Sequence, residues 1–446
     1  MPLTVLTEAD IRTLLLSLAK EDAATLQRNL AEALHSYSTG DTNSPCSASS
    51  QPHRTIIKKN GMTTLFMPAS TGTAVGMKIV SLEQQHDTSH GKKSSMSSLA
   101  SQSTTGSAAV KSPTGEFATL SLTPASTMSS GSRDSIDGAS FRPPASISSA
   151  QSSTPRGSVT VLDPRGNPVG IVNAEELTAF RTALASTMLF QKRQNVHTMT
   201  VFGAGKQAYW HIRLALLFKG DEVRHVNIIN RSFERSIKLM KTLQMEQNSH
   251  GFWRKDIKYS CMSPEFGEYG RLLKEEVRKA DVIFCCTPSL DPLFPAEFLT
   301  SREGQKKGRY ISCIGSYAPH MVELHPDVFR LAVQPDHGHH HHKHARQGGV
   351  IVVDNLESCL KDSGEIIKAK LGPEHLVEIG ELMMIKKSAD REIELGGSGE
   401  PGLLEWLTRG NVIYKSVGMG LMDLIIAEDM IRLARERDVG VTIEDF

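Results

Sequence analysis

The middle of the chain alternates between short apolar runs and longer amphipathic segments. Apolar positions spaced three to four apart predict helices over residues 206–218 and 233–244. Five apolar runs predict buried strands, at residues 197–203, 225–230, 281–286, 310–314 and 350–353. Strands that alternate with helices favour a parallel sheet with helices on its faces. We therefore predict one α/β domain over residues 196–353.

The chain on either side of this block shows a different pattern. The segments LFMPAS and VGMKIVSL predict two strands joined by a turn, and GSVTVLD and PVGIV predict a hairpin around PRGN. A helix is predicted over residues 174–190. We assign residues 1–83 and 157–195 to a second, split α+β domain, and expect residues 354–446 to return to it.

Two stretches interrupt these patterns. Residues 84–156 are rich in Ser, Thr, Ala and Gly and have too little apolar surface to offset the entropy of ordering, which predicts a disordered insertion. Residues 336–349 form a loop with six histidines. Imidazoles bind transition metals, but the Cys or acidic partners of a structural zinc site are missing around them. A solvated loop is the favoured interpretation, and no metal site is predicted.

Composition narrows the class of protein. The 446 residues include 50 basic and 49 acidic side chains, a net charge of +1 without the basic excess typical of nucleic-acid binders. No run of about 18 apolar residues predicts a membrane span, and the N-terminus lacks the basic start of a secretory signal. We expect a cytoplasmic protein without nucleic-acid or membrane partners. The six scattered cysteines indicate reduced packing residues.

A glycine-rich turn is the sharpest local signal. The strand ending at Phe202 runs into Gly203, Gly205 and Ala208 in the pattern G-x-G-x-x-A, and a helix follows. The first glycine allows the tight turn, the second lets a pyrophosphate approach the backbone, and the alanine lets the helix pack closely on the strand. The free amides at the start of the helix suit phosphates. This arrangement predicts a Rossmann dinucleotide-binding domain.

The next strand indicates which dinucleotide is preferred. It ends in Asn230, Arg231 and Ser232, where an enzyme specific for NAD usually has Asp or Glu to bind the ribose hydroxyls. An arginine suits a phosphate dianion, so we favour NADP(H) over NAD(H), with Arg235 as a possible helper. The alternative is that Arg231 is only a solvated residue at the start of a helix.

Three basic residues stand out in the second domain. Arg54 precedes a strand, while Lys78 and Arg181 lie in apolar surroundings, where a charge is costly unless it is paired or faces a site. Together they favour an anion pocket over separate ion pairs. Cys285 and Cys286 end a strand of the other domain, and we interpret them as packing residues because no catalytic base is identifiable near them.

The order of these motifs resembles the ornithine cyclodeaminase/μ-crystallin family. The matching segments are LTEADIRTLL, FMPA, GMKIVS, LTAFRTALAS, VFGAGKQA, ADVIFCCTPS, GRYISCIGSYAPHMVEL, VVDNLESCLKDSGEI and YKSVG. The resemblance implies a homodimer in which the split domain binds substrate and forms the dimer. It also implies that Arg54, Lys78 and Arg181 bind the carboxylate of a small amino or imino acid, with Lys78 able to act as an acid or base.

The resemblance implies further site residues. Thr182 and Thr287 are expected along the cofactor, and Ser158 is expected to supply a hydroxyl near the pocket. Ornithine cyclodeaminases carry an aspartate two residues after the glycine that is Gly315 here, and this chain has Tyr317 in that place. A tyrosine, with a pKa near 10, supplies no carboxylate at neutral pH.

The departure at Tyr317 favours one activity and leaves two alternatives. The favoured one is an NADP(H)-dependent oxidoreductase that reduces a ketimine or cyclic imino acid, or oxidises the matching amino acid. One alternative is NAD-dependent cyclodeamination of ornithine to proline and ammonia. The other is a protein that binds NADPH without catalysis and acts through interactions.

Overall fold

A computed structural model of the protein describes residues 2–40, 45–48, 51–83, 156–250, 253–334, 349–382 and 401–446. These residues belong to one compact unit, and its strands form two sheets. The predicted insertion at 84–156 and the histidine-rich loop at 336–349 lie outside the described residues, except for the last residue of each.

One sheet is mixed and is built from both ends of the chain. Its seven strands are β1 (Leu3–Leu6), β2 (Thr55–Lys59), β3 (Met62–Ser70), β4 (Val75–Glu83), β5 (Arg156–Leu162), β6 (Pro168–Asn173) and β15 (Val441–Ile443). Their spatial order is β15-β1-β6-β5-β4-β3-β2, and every pair is antiparallel except β1 with β6. The predicted pair of strands and the hairpin are β3 with β4 and β5 with β6.

The other sheet is parallel throughout. Its eight strands are β7 (Thr198–Phe202), β8 (His225–Ile229), β9 (Lys258–Met262), β10 (Val282–Cys285), β11 (Tyr310–Cys313), β12 (Ile351–Val353), β13 (Leu376–Glu378) and β14 (Val412–Lys415). Their order is β13-β12-β14-β11-β10-β7-β8-β9. The chain reverses direction across the sheet between β7 and β10, the place where such folds bind ligands.

The helices have the following bounds within the described residues. They are α1 (Glu8–Leu16), α2 (Lys20–Thr39), α3 (Ala174–Phe190), α4 (Lys206–Lys219), α5 (Phe233–His250), α6 (Tyr269–Lys279), α7 (Glu297–Thr300), α8 (Pro326–Val333), α9 (Leu356–Asp362), α10 (Gly364–Ala369), α11 (Pro401–Arg409) and α12 (Gly420–Glu436). Two short 3₁₀ turns cover Gly304–Lys306 and Pro373–His375.

The structure confirms the α/β class and corrects one boundary. The parallel sheet continues beyond residue 353, because β13 and β14 belong to it; among the elements described after that residue, α12 packs on the mixed sheet and β15 joins it. Strand β14 inserts between β11 and β12, so its apolar residues are covered by two neighbours. The pattern also missed β9, an edge strand whose residues alternate between exposed and partly buried and thus lack a continuous apolar run.

Helix α3 connects the two sheets and is buried along almost its whole length. It packs against α12 and β5 on the mixed-sheet side and against α4 on the other. Phe180 meets the ring of Trp210 in α4 edge-on, with 5.3 Å between the ring centroids. Near the end of α3, the carbonyl of Ser186 accepts a 2.6 Å hydrogen bond from the hydroxyl of Tyr310 in β11. Residues on α3 are therefore held in register with both sheets.

Within the described part of the chain, no helix combines the length and apolarity needed to span a bilayer. The same residues contain no group of three or more His, Cys, Asp or Glu side chains arranged to hold a metal ion.

Candidate active site

Lys78 lies in β4 on the face of the mixed sheet that packs against helices. Lys78 is only 4% exposed to solvent. Along β4, Gly76, Lys78 and Val80 are buried while the residues between them are more exposed, as the alternation of a strand requires. Lys78 therefore projects into the interior of the protein and not into solvent. A charge in the interior needs a partner.

That partner is Asp423 in α12. The Nζ of Lys78 donates hydrogen bonds to the Oδ1 of Asp423 at 2.8 Å and to the hydroxyl of Thr178 at 2.7 Å. The Nε of Arg181 donates to the same Oδ1 at 3.2 Å. Asp423 is fully buried, and its Oδ2 has no hydrogen-bond partner among the described residues. One carboxylate thus holds both predicted cations, from β4 and α3, at a single point.

The charges of this cluster shift one another's pKa values. Burial is the largest influence on Lys78 and, with the nearby Arg181, lowers its pKa to about 8 despite the attraction of Asp423. Burial alone would raise the pKa of Asp423, but the two cations outweigh it and hold that pKa below its usual value. Lys78 therefore changes its protonation state in the pH range in which an acid or base catalyst is most useful.

Arg54 lies on the same side of the sheet but has a different partner. Thr55, Phe66 and Ile79 are aligned across β2, β3 and β4, so Arg54 lies in the row of Lys78, two strands and about 10 Å away. Its guanidinium forms an ion pair with Asp362 at the end of α9. The structure thus brings two of the three predicted cations into one cluster and places the third beside it.

Ser158 does not join the cluster. It is aligned with Ile79 in β4, whereas Lys78 is aligned with Val159. Since successive side chains of a strand point to opposite faces, Ser158 projects from the other face of the sheet. The expectation that its hydroxyl lies near the pocket is therefore corrected: Val159, one residue further along β5, holds the inward position beside Lys78.

Thr182 and Tyr317 lie on two different elements, α3 and the loop after β11. Thr182 is buried on α3, next to Arg181, and its hydroxyl donates a 2.7 Å hydrogen bond to the carbonyl of Thr178. Tyr317 follows β11 and is partly buried, which raises the pKa of its hydroxyl. Neither the Tyr317 hydroxyl nor its ring supplies the negative charge that an aspartate would add there.

The glycine turn after β7 has the geometry that a dinucleotide requires. Gly203 has φ = +114°, and a Cβ on it would lie 2.8 Å from the carbonyl oxygen of Cys286, so a side chain is excluded. Apart from its chain neighbours, nothing described lies within 4 Å of the Cβ position of Gly205, which precedes α4 and gives the helix no side-chain cap. The start of α4 is therefore open to a phosphate, while Ala208 is fully buried against the sheet.

The loops that follow β8 and β10 begin beside this turn. Phe202, Ile229 and Cys285 occupy equivalent positions in the parallel strands β7, β8 and β10. Asn230, Arg231 and Ser232 follow β8; the amide side chain of Asn230 donates to the carbonyl of Ser232 at 2.9 Å. Arg231 is exposed.

Thr287 follows β10 and lies against the glycine turn. Its methyl group is 3.2 Å from the position of a Cβ on Gly203. The glycine turn and the loops after β8 and β10 thus lie together at the carboxyl-terminal edge of the parallel sheet, whereas Thr182 lies on α3.

The amino-acid sequence matches a known protein family. The model of the ornithine cyclodeaminase/mu-crystallin family matches residues 120–395, more than half of the chain. The chain belongs to this family. The resemblance read from the motifs is therefore confirmed.

Three relatives show how far the similarity extends. An uncharacterised protein of Saccharomyces cerevisiae is 29% identical over 62% of this chain and 74% of its own length. A Delta(1)-pyrroline-2-carboxylate reductase of Bacillus cereus is 26% identical over 63% and 71%. The ketimine reductase mu-crystallin of Macropus fuliginosus is 27% identical over 63% and 70%.

A solved structure has the same fold. It is the Delta(1)-pyrroline-2-carboxylate reductase of Thermococcus litoralis in complex with NADH and L-proline, with a TM-score of 0.60 and 17% identity over 99% of this chain and all of that chain. At this identity the likeness supports the architecture of this family member and nothing finer.

Two residues of the site, Asp423 and Asp354, were not predicted from the sequence. Asp423 lies in the apolar stretch GLMDLIIA, where its charge, like that of Arg181, is costly without a partner. Asp354, after β12, accepts hydrogen bonds from the Ser416 hydroxyl at 2.6 Å and the Gly418 amide at 2.7 Å. Gly418 has φ = +85°, and a Cβ on it would lie 2.9 Å from the Nη2 of Arg181. Asp354 therefore fixes the loop that packs on Arg181.

Replacing Asp423 with Asn would leave Lys78 and Arg181 buried without their shared anion. We expect Asp423→Asn to lower the free energy of unfolding at pH 7 by about 3–5 kcal/mol, the range for a broken buried ion pair. The loss should shrink as the pH rises, because Lys78 then becomes neutral more readily. Urea unfolding followed by circular dichroism at pH 7 and pH 9 measures both effects.

Glu436→Gln, on the same helix, is the matched control. Glu436 forms an exposed ion pair with Arg432 at 3.0 Å, and its loss should cost roughly 0.3–0.5 kcal/mol. Equal effects of the two substitutions would show that Asp423 is not needed to bury the two cations.

Proposed function

We propose that this family member is an NAD(P)(H)-dependent oxidoreductase that acts on the C=N bond of a small imino acid, or on the CH–NH bond of the matching amino acid. The observation that carries the proposal is the pairing of Lys78 and Arg181 through one buried carboxylate. Such a cluster offers two cationic groups to a substrate carboxylate. The relatives named as reductases of pyrroline-2-carboxylate and of ketimines support the same reaction class.

The edge of the parallel sheet fits a nicotinamide dinucleotide. The amides that begin α4 at Lys206 would hold its pyrophosphate, and Thr287 would lie along it. When bound, the nicotinamide gives or takes the hydride. The preference for NADP(H) rests on Arg231, whose exposed guanidinium follows β8 where a 2′-phosphate would lie.

The residues of the cluster divide the remaining tasks. Arg181 binds the substrate carboxylate, since a guanidinium donates two parallel hydrogen bonds to a carboxylate. Lys78 gives a proton to the imine nitrogen during reduction and takes it back during oxidation. Asp423 orients both side chains. Arg54 adds a third cationic contact when the substrate carboxylate replaces Asp362 as its partner.

Tyr317 argues for this reaction over cyclodeamination. The family resemblance places a catalytic aspartate of ornithine cyclodeaminases at this position, and the phenol of Tyr317, whose pKa burial raises further, carries no charge near neutrality. An amino group on the substrate side chain therefore lacks its anionic partner here.

The mixed sheet supports the homodimer that the resemblance implies. Met77, Ile171 and Val441 lie in one row across β4, β6 and β15, on the face opposite Lys78. All three are exposed, by 37%, 37% and 62%. Thr160 and Val5 lie between them in the same row. We propose that a second copy of the chain covers this row, because monomeric proteins rarely expose large apolar patches.

Turnover of cyclic imino acids tests the proposal directly. We expect the full-length protein to oxidise NADPH in the presence of pyrroline-2-carboxylate or piperideine-2-carboxylate, measured as loss of absorbance at the nicotinamide band. Arg181→Ala should reduce kcat/KM by at least a hundredfold because the substrate carboxylate loses its bidentate partner. Arg432→Ala, an exposed arginine on α12, is the control and should leave turnover unchanged.

Other outcomes of that assay contradict the proposal. Wild-type inactivity across a panel of imino acids would exclude the reductase. Release of ammonia from ornithine without net cofactor reduction would support a cyclodeaminase instead.

The pH dependence should report the protonation of Lys78. Because the pKa of Lys78 is lowered to about 8, kcat/KM for imine reduction should fall as the pH rises through about 8, when the proton donor is lost. For amino-acid oxidation it should rise over the same range. Lys78→Arg should remove this transition, since arginine stays protonated. A transition that persists in Lys78→Arg would assign it to another group.

The cofactor preference should depend on Arg231. We expect Arg231→Ala to weaken NADPH binding by about tenfold to a hundredfold, the loss of a charge-assisted contact, and to leave NADH binding nearly unchanged. Titration of nucleotide fluorescence gives both dissociation constants. Lys238→Ala, at an exposed lysine on the helix α5 that follows Arg231, is the control. Equal loss for both nucleotides would place the arginine away from the 2′-phosphate.

A further inference from the structure

A buried polar cluster lies at the carboxyl ends of the central parallel strands. It consists of Glu323, Glu365, Lys415 and Ser316, none of which has a solvent-exposed side chain. Lys415 in β14 pairs with the Oε2 of Glu365 at 3.3 Å and also donates to Ser316, whose hydroxyl donates to Glu365. Glu365 and Lys415 thus form an ion pair. The carboxylate of Glu323 instead accepts hydrogen bonds from two loops.

Glu323 joins two loops through its two carboxylate oxygens. Its Oε1 accepts hydrogen bonds from the amide of Thr287 at 2.6 Å and from the Thr287 hydroxyl at 3.2 Å. Its Oε2 accepts one from the amide of Gly315 at 2.7 Å. The loop after β10 and the loop after β11 are therefore both bound to one side chain.

The loop after β11 packs on the loop after β10, and Thr287 of that second loop packs on the glycine turn. A Cβ on Gly315 would lie 2.2 Å from the carbonyl oxygen of Thr287, and a Cβ on Gly203 would lie 3.2 Å from the Thr287 methyl group. A displacement of Thr287 therefore changes how closely its methyl group packs on Gly203.

We propose that ionised Glu323 is a positioning residue for the dinucleotide, which holds Thr287 and Gly315 at the separation that leaves the glycine turn open. The inference rests on the dinucleotide binding proposed above. Glu323 acts through the two loops, since its own oxygens are occupied by their amides and the Thr287 hydroxyl.

The charges around Glu323 determine when it is ionised. Burial is the largest influence and raises its pKa to about 7; Lys415 in β14 opposes this and Glu365 in α10 adds to it. The thiols of Cys285 in β10, Cys286 just after it and Cys313 in β11 are also close to Glu323, and each has a raised pKa and stays neutral. A protonated carboxyl group accepts hydrogen bonds more weakly, so the two loops should loosen as the pH falls below 7.

NADH binding to the full-length protein tests this, because NADH lacks the 2′-phosphate that titrates near the same pH. We expect the dissociation constant of the wild type to decrease as the pH rises from 6 to 8. In Glu323→Gln it should be about tenfold larger at pH 8 and nearly independent of pH, since the amide cannot accept from both loops. Glu323→Asp keeps the charge and should retain the pH dependence.

Glu378→Gln is the matched control. Glu378 lies in the edge strand β13 of the same sheet and accepts the amide of Leu356 at 2.8 Å, away from both loops. Burial raises its pKa as well. This variant should bind NADH with the wild-type affinity and pH profile. An equal loss of affinity in Glu378→Gln would mean that any buried carboxylate of the sheet has this effect and would overturn the inference.

Hydrogen exchange separates this inference from the proposed function. Without nucleotide, peptides containing Thr287 and Gly315 should exchange faster in Glu323→Gln than in the wild type at pH 8. Exchange at the wild-type rate would overturn the inference. A wild type that fails to bind NADH while the exchange difference is present would overturn dinucleotide binding and the positioning role together, yet leave the bridge between the loops intact.

Discussion

The carboxylate of Asp423 is the interaction on which the candidate active site depends. A buried lysine and a buried arginine would repel each other and lose their hydration, a cost that neither hydrogen bonds to Thr178 nor packing would offset. Asp423 accepts from both through one oxygen. Strand β4, helix α3 and helix α12 must therefore keep their register, because a shift of one residue in β4 would turn Lys78 to the opposite face of the sheet.

The rest of the fold serves this register. Helix α3 carries Arg181 and packs on both sheets, so the cations and the glycine turn are parts of one connected framework. Asp354 fixes the loop behind Arg181, and Glu323 joins the loops beside Gly203. The residues that hold these loops are buried carboxylates that accept backbone amides. Such bonds fix a main-chain position more firmly than apolar contacts, since they are directional.

Much of the fold was predictable from local pattern. Helix α3 has the predicted bounds, and the central strands deviate from theirs by about one residue, because apolar periodicity and capping act over a single turn or strand. The glycine turn was identified for the same reason. The edge strand β9 was missed because two of its five residues are exposed and two more are only partly buried. The cost of burying a charge also pointed to Lys78 and Arg181, and the same cost marks Asp423 in its apolar stretch.

The sequence by itself determined the family, the succession of strands and helices, the glycine turn and the two cations that require a partner. The tertiary structure alone decided which partners they have. Lys78 and Asp423 are 345 residues apart, and Arg54 meets Asp362 rather than Asp423. It also decided that Ser158 faces away, since one residue of register reverses a strand's side chains. Contacts between distant segments depend on how the whole chain packs, and no local pattern records that.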